Sequence, residues 1–315
     1  MTEKSNLADN SYPNDIYDRM FKRLLTLSAK AIIRFINGIF GTDYPENSSL
    51  RYNWTEFENE KLKKILADTI VTINDRDAVH FEVQMTEESI VLRVLEYGFA
   101  HALRTATEIP NPDTGVMSYD VHYPRQTVIY LDSTGNVPDE QIVRIHFGDE
   151  GVFEHHIPVI HFQEKTVKEI KEQSMVILLP FRLLRLRRSL QRKRSPEKIM
   201  KLLDLYNNDI IKTIEQAYLA GEITDRDRGA LLAATRQLME HLYKRYSEVW
   251  EVIKDMRDHS IQLDIDEYLD ALEEKDEELA RKNEELEQIN EELERKDEII
   301  QMLSEKLAHF EQQTD

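Results

Sequence analysis

The stretch Ala67-Asp68-Thr69-Ile70-Val71-Thr72-Ile73-Asn74-Asp75-Arg76-Asp77-Ala78-Val79-His80-Phe81-Glu82-Val83-Gln84 decides how the chain folds. Both halves are rich in β-branched and aromatic residues, and the four residues between them, Asn74 to Asp77, favour turns. Runs 62–73 and 78–85 therefore read as the antiparallel strands of a β-hairpin. Side chains alternate along a strand, which puts Glu82 and Gln84 on one face and Val83 on the other. Asp68 joins that face when the numbers of opposed residues add to an even value. A three-residue loop, Asp75-Arg76-Asp77, with Asn74 opposite Ala78, meets this condition and sets Asp68 opposite Gln84 and Ile70 opposite Glu82. Two carboxylates and an amide would then share one patch.

On the N-terminal side, Ile16, Met20, Leu24, Leu27, Ala31, Phe35 and Ile39 recur at spacings of three and four, which predicts one amphipathic helix over 15–40. Asn14 suits its N-cap and Gly41 its end. A strand-like piece follows at 51–57. On the C-terminal side, 89–107 is helical with Ile90, Val94, Leu95 and Ala102 on its apolar face, and 110–115 is a Pro- and Gly-bearing loop. Short β-rich runs recur at 126–131, 143–147 and 157–162. This order of helix, strands, helix and further strands predicts a mixed α/β, or α+β, fold. From about 167 the chain reads helical, with a buried-looking run at 175–181. Three parts result: an α/β domain over 1–166, a helical extension over 167–259, and a distinct tail over 260–315.

The tail repeats with a period of seven. Ile265, Leu272, Leu279, Leu286, Leu293, Ile300 and Leu307 fall at d positions, which leaves Leu269, Asp276, Asn283, Asn290, Asp297 and Ser304 at a. Leucine at d with asparagine at a is the pattern of a parallel two-stranded coiled coil, in which paired Asn fixes register. A solvated single helix held by Glu–Lys pairs is the other reading. The tail also dominates the electrostatics. The 315 residues carry a net charge of −19, and 260–315 alone hold 20 acidic and 6 basic residues, a net −14 that leaves −5 for the rest. The charge therefore does not exclude a nucleic-acid partner for residues 1–259.

No cysteine occurs, which excludes disulfides, thiolate metal sites and a cysteine nucleophile. The opening residues are polar and acidic, without a signal-peptide pattern, and the apolar runs are far shorter than a membrane span. A cytoplasmic protein without a membrane partner is the expectation. Neither a Gly-rich phosphate loop nor a Gly-x-Ser-x-Gly elbow is present. Adjacent His155 and His156 point to opposite faces of a strand and find no partner at zinc spacing, so they, with His146 and His161, read as surface or turn residues.

The patch of Asp68, Glu82 and Gln84 has a clear chemical use. Attack on an anionic phosphodiester needs a cation to neutralise developing charge and to acidify the attacking water. Hard carboxylate oxygens suit Mg²⁺, which is commonly held by one or two of them.

Several segments together resemble the PD-(D/E)XK nuclease superfamily, and more narrowly the Rpn recombination-promoting nucleases, also described as PD-(D/E)XK family transposases. They are Asp15-Ile16-Tyr17-Asp18-Arg19-Met20-Phe21-Lys22, Ala67-Asp68, Phe81-Glu82-Val83-Gln84, and Arg93 with Tyr97 one helical turn on. The likeness spans roughly 12–200. It implies a restriction-endonuclease-like core and metal-dependent hydrolysis of double-stranded DNA in recombination or transposition. Asp68 and Glu82 would be Mg²⁺ ligands, with the Val83 carbonyl a further candidate. Gln84, standing where the wider superfamily has Lys, would orient water. Asp18, Lys22, Arg93 and Tyr97 would support the site; an i,i+4 helix pair and a structural hydrogen bond are their other readings. The residue before Asp68 is Ala67, so the family's Pro-Asp pair is absent.

Arg182, Arg185, Arg187, Arg188, Arg192, Lys193 and Arg194 form a basic segment without an acidic residue. It would contact DNA phosphates or neutralise acidic parts of the chain itself. The expectation is a Mg²⁺-dependent DNA endonuclease that dimerises through its coiled coil. The alternative is a catalytically silent, transposon-derived protein that binds DNA or works through its coiled coil.

Overall fold

The computed structural model describes residues 15–53, 56–59, 63–66, 69–85, 90–110, 117–132, 137–257 and 281. The chain divides into two units, Met1–His259 and Ser260–Asp315. The heptad tail falls in the second unit, and apart from Arg281 it lies outside the described residues. The first unit has a mixed α/β fold.

Helix α1 (Asp15–Leu24) and helix α2 (Ala29–Phe40) replace the single helix expected over 15–40. The break has a specific cause. Ser28 caps α2 by accepting the Ala31 N–H, and Asp227, far along the chain, holds both the Ser28 N–H (2.7 Å) and its hydroxyl (2.6 Å). A capped start cannot also be a helix interior. Gly41, in the left-handed conformation at φ 62°, ends α2 as expected.

The strands are β1 (Leu50–Asn53), β2 (Glu56–Asn59), β3 (Lys63–Leu66), β4 (Ile70–Ile73) and β5 (Asp77–Gln84), then, after α3 (Val91–Arg104), β6 (Thr107–Pro110), β7 (Met117–Asp120), β8 (Arg125–Tyr130), β9 (Glu140–His146) and β10 (Val152–His161). Six of them form one sheet in the order β1-β4-β5-β8-β10-β9, while β2–β3 and β6–β7 are separate two-stranded ribbons. The pairs β5–β8 and β8–β10 are parallel and the others antiparallel, so the sheet is mixed.

The expected hairpin is β4–β5, with two changes: of the run 62–73 only Ile70–Ile73 pairs with β5, whereas Lys63–Leu66 pairs with β2, and the register differs. Ile73 opposes Asp77 and Ile70 opposes His80, which moves the pairing two residues from the expected register. The loop is therefore Asn74-Asp75-Arg76, and Asn74 and Asp75 adopt left-handed φ of 51° and 54°, which short polar side chains tolerate. The Asn74 side chain accepts the Ser49 N–H at 3.0 Å and donates to Ser48 Oγ at 3.3 Å, tying the turn to the start of β1. A shift of two preserves alternation, so His80, Glu82 and Gln84 stay on one face.

The sheet is covered on both sides. Phe81 packs its ring against Phe35 and Phe40 of α2. On the opposite face, Ile90 and Val94 pack on Val128, Tyr130, Ile157 and Val159. The segment beyond 166 is helical: α4 (Val167–Glu172), a 3₁₀ stretch (Val176–Leu186), α5 (Arg187–Arg192), α6 (Pro196–Asp204), a π-helical stretch (Leu205–Ile211), α7 (Lys212–Leu219), α8 (Asp225–Tyr243) and α9 (Ser247–Arg257). The run 176–184, apolar except for Arg182, is wholly buried. Among the described residues, no helix is long and apolar enough to cross a membrane.

Candidate functional site

Glu82 is a fully buried carboxylate inside a sheet, which requires compensation. Its Oε1 accepts from Gln84 Nε2 at 2.9 Å and from the Arg93 guanidinium. Gln84 lies two residues on along the same strand face, and Arg93 reaches down from the first turn of α3. Arg93 remains 44% exposed, so this ion pair joins the interior to the surface. Glu82 Oε2 is buried without a hydrogen-bond partner among the described residues.

The same face continues inward to His80, a residue that sequence reasoning passed over. Its Nε2 stands 4.0 Å from Glu82 Oε2. Its Nδ1 lies 3.0 Å from Gln126 Nε2. Gln126 is its neighbour on the parallel strand β8 and uses the same amide nitrogen to donate to the Val94 carbonyl at 2.6 Å. An amide nitrogen only donates, so the imidazole accepts at Nδ1 and carries its proton on Nε2, facing Glu82. Burial lowers the His80 pKa from 6.5 to about 4, an effect that nearby Glu82 only partly offsets.

The Gln126 oxygen is also engaged. His155 Nε2 donates to it at 3.0 Å, and the Tyr123 hydroxyl stands 3.0 Å from both this oxygen and the Leu95 carbonyl. Burial pushes the Tyr123 hydroxyl pKa up and that of His155 down, which keeps both neutral. A polar row thus runs from Gln84 through Glu82, His80 and Gln126 to Tyr123 and His155. Gly98 on α3 makes room for it: a Cβ there would overlap the Tyr123 hydroxyl and sit 2.6 Å from Gln126 Nε2. The strand parity of His80 with Glu82 was readable in the sequence; the pairing of His80 with Gln126 was not, because it depends on a parallel crossover.

The other expected residues are dispersed. Asp68 lies outside the described residues. Asp18 and Lys22 form an i,i+4 ion pair at 2.9 Å. Tyr97 is buried beside His80, with ring centroids 6.0 Å apart. Val83 pairs with Ile129 inside the sheet. His155 and His156 lie within β10 rather than in a turn; His156 faces Glu140 and Glu154. Among the described residues, no group of three His, Asp or Glu side chains is placed to hold a metal ion.

The basic segment is divided by its surroundings. Arg182 is not a surface cation: it is 1% exposed, donates to the Gln163 and Lys165 carbonyls at 3.2 and 3.0 Å, and lies 3.7 Å from Asp209. Buried Asp132 takes Arg187 at 2.6 Å and Arg188 at 3.3 Å. Arg194 pairs with Glu248 and lies over the Tyr246 ring. Arg185, Arg192 and Lys193 are exposed and make no ion pair with a described residue.

No family model, no curated protein and no solved structure matches the chain.

Proposed function

We propose that the protein is a divalent-metal-dependent DNA endonuclease of the PD-(D/E)XK kind, with Mg²⁺ as the natural cation. The observation that carries this reading is Glu82, a buried carboxylate with one oxygen fixed by Gln84 and Arg93 and the other without a bonded neighbour among the described residues. An anionic oxygen placed at such cost is a functional candidate rather than a stabilising device. The described donor set offers one hard oxygen for a cation, and Mg²⁺ accepts as few as one or two carboxylates. Asp68 is the second carboxylate in this proposal.

A bound divalent ion would supply charge neutralisation at the scissile phosphate and a more acidic attacking water. The chain's own residues do the rest. Arg93 balances the Glu82 charge, and Gln84 holds the carboxylate rotamer while its amide oxygen orients water. Arg185, Arg192 and Lys193 attract the phosphate backbone. The mixed sheet is compatible with a restriction-endonuclease-like core. Residues 260–315 would pair two copies as a coiled coil and bring two sites to one duplex. A cytoplasmic location completes the proposal.

A second reading, DNA binding without cleavage, is favoured by the direct Gln84–Glu82 bond, which engages the amide nitrogen and leaves only the amide oxygen for water. A plasmid-nicking assay with Mg²⁺ or Mn²⁺ separates the two. Wild-type protein should nick, and Asp68→Ala and Glu82→Gln should each lose at least about a hundredfold, the scale of losing a main electrostatic contributor. Equal activity in all three would sink the catalytic claim.

A further inference from the structure

The polar row ends at a cavity of 720 Å³, in the size range of small-molecule sites. Gln126, Tyr123 and His155 line it from within the fold, and Phe99, Phe147 and Phe153 line it nearer the surface. Both ends of the Gln126 amide are already hydrogen-bonded, so it has little to offer a ligand. Recognition must come from the rings and from charge.

The rings are of two kinds. Phe99 lies edge-on to Tyr123, and Tyr123 edge-on to His155, each with centroids 5.1 Å apart. Phe147 and Phe153 are 55% and 56% exposed and have no such ring partner among the described residues. Their faces are open to a flat aromatic group.

The charge is one-sided. No Asp or Glu belongs to the described lining. His156 is already faced by Glu140 and Glu154. Arg125 is exposed, lines the cavity, and makes no ion pair with a described residue. Arg125 starts β8 opposite Val79 and shares the cavity lining with the two open rings; a cation and open aromatic faces in one lining suit an aromatic group that carries an anion.

We infer that this cavity binds a nucleotide, with its base against Phe147 and Phe153 and its phosphate at Arg125. The choice of a nucleotide over other aromatic anions rests on the nuclease reading. A free nucleotide and one nucleotide of a single strand present the same chemistry, since every base has a π-face.

The test is calorimetric titration of the full chain, with chelator present so that nothing is cut, using dAMP, deoxyadenosine and a deoxyadenosine pentanucleotide. Arg125→Ser and Phe153→Ser alter exposed side chains and leave the core intact. Saturable dAMP binding is expected, weakened about tenfold by either substitution, the usual scale of one stacking or charge contact. Deoxyadenosine should bind more weakly than dAMP to wild type and equally to Arg125→Ser. Tighter binding of the pentanucleotide identifies a strand as the source; tighter or equal binding of dAMP identifies the free nucleotide. No saturable binding at millimolar probe overturns the proposal, as does binding that both variants leave unchanged. So does light scattering in which Phe153→Ser lowers the oligomeric state, because a second copy then covers the face. A protein that binds dAMP but never nicks plasmid keeps the cavity and loses the catalytic reading; one that nicks but binds neither dAMP nor the pentanucleotide does the reverse.

Discussion

His80 Nε2 and Glu82 Oε2 face each other 4.0 Å apart, both fully buried and neither hydrogen-bonded among the described residues. The imidazole is neutral and presents a proton to a carboxylate that it does not quite reach. This couples the stability of the site to pH.

The His80 pKa falls from 6.5 to about 4 on folding because burial disfavours the cation. Between these values the unfolded chain takes up a proton that the folded chain refuses, so stability is full above pH 6.5 and declines as pH falls toward 4. The loss from this one group is on the order of 3 kcal/mol across that window. Urea unfolding at about pH 7.5 and about pH 5, on either side of the unfolded value, should show a smaller drop for His80→Gln than for wild type. An equal drop in both would assign the pH dependence to other groups.

Gly98 should tolerate no side chain. A methyl group would sit inside contact distance of Tyr123 and Gln126, two members of the polar row. Gly98→Ala is expected to destabilise by about 1–3 kcal/mol, the scale of overpacking, despite the better helix propensity of alanine. Denaturant midpoints measure this, and a more stable variant would contradict the packing described.

Asp227 bridges the start of α8 to the start of α2. Besides holding Ser28, it accepts the Thr224 N–H at 2.9 Å and the Thr224 hydroxyl at 2.8 Å in a capping box. Asp227→Ala should cost about 2–3 kcal/mol, because donors at both helix starts lose a buried, charged acceptor. Ser28→Ala should cost about 1 kcal/mol. The double variant should lose less than the sum, and strict additivity would show that the two caps act independently.

The three exposed cations without ion pairs to described residues make a quantitative prediction for DNA. Replacing Arg185, Arg192 and Lys193 together with Ser should flatten the plot of log affinity against log salt by up to about 3 units, near 0.9 for each phosphate contact. Binding measured by fluorescence anisotropy over a salt series gives the slope. An unchanged slope would remove this segment from the interface. Arg182→Ala should instead appear as loss of folding, because it removes a buried guanidinium from two carbonyls.

The legible parts of the sequence were the local ones. The turn at Asn74–Asp77 announced the hairpin, and alternation put Glu82 and Gln84 on one face. Register was less legible, because Asn74 and Asp75 can both adopt left-handed backbone, which closes the loop one residue earlier than composition suggests. The split of α1 from α2 was hidden, since it depends on Asp227 at the far end of the unit. The fate of the basic segment was hidden for the same reason: Asp132, Asp209 and Glu248 are remote in sequence. The partnership of His80 with Gln126 required the parallel β5–β8 pairing, and parallel pairing leaves no local trace.

That parallel seam also orders events in time. The β4–β5 hairpin closes over three residues and needs only local collapse, whereas the hydrogen bond from Gln126 to His80 waits for a crossover of 46 residues to return. The Glu82 carboxylate therefore exists first on a wet hairpin, paired with nothing more distant than Gln84, and loses its water only when β8 and α3 dock. Burial of this charge belongs to the late stage of folding, so substitutions of His80 and Gln126 should speed unfolding more than they slow folding.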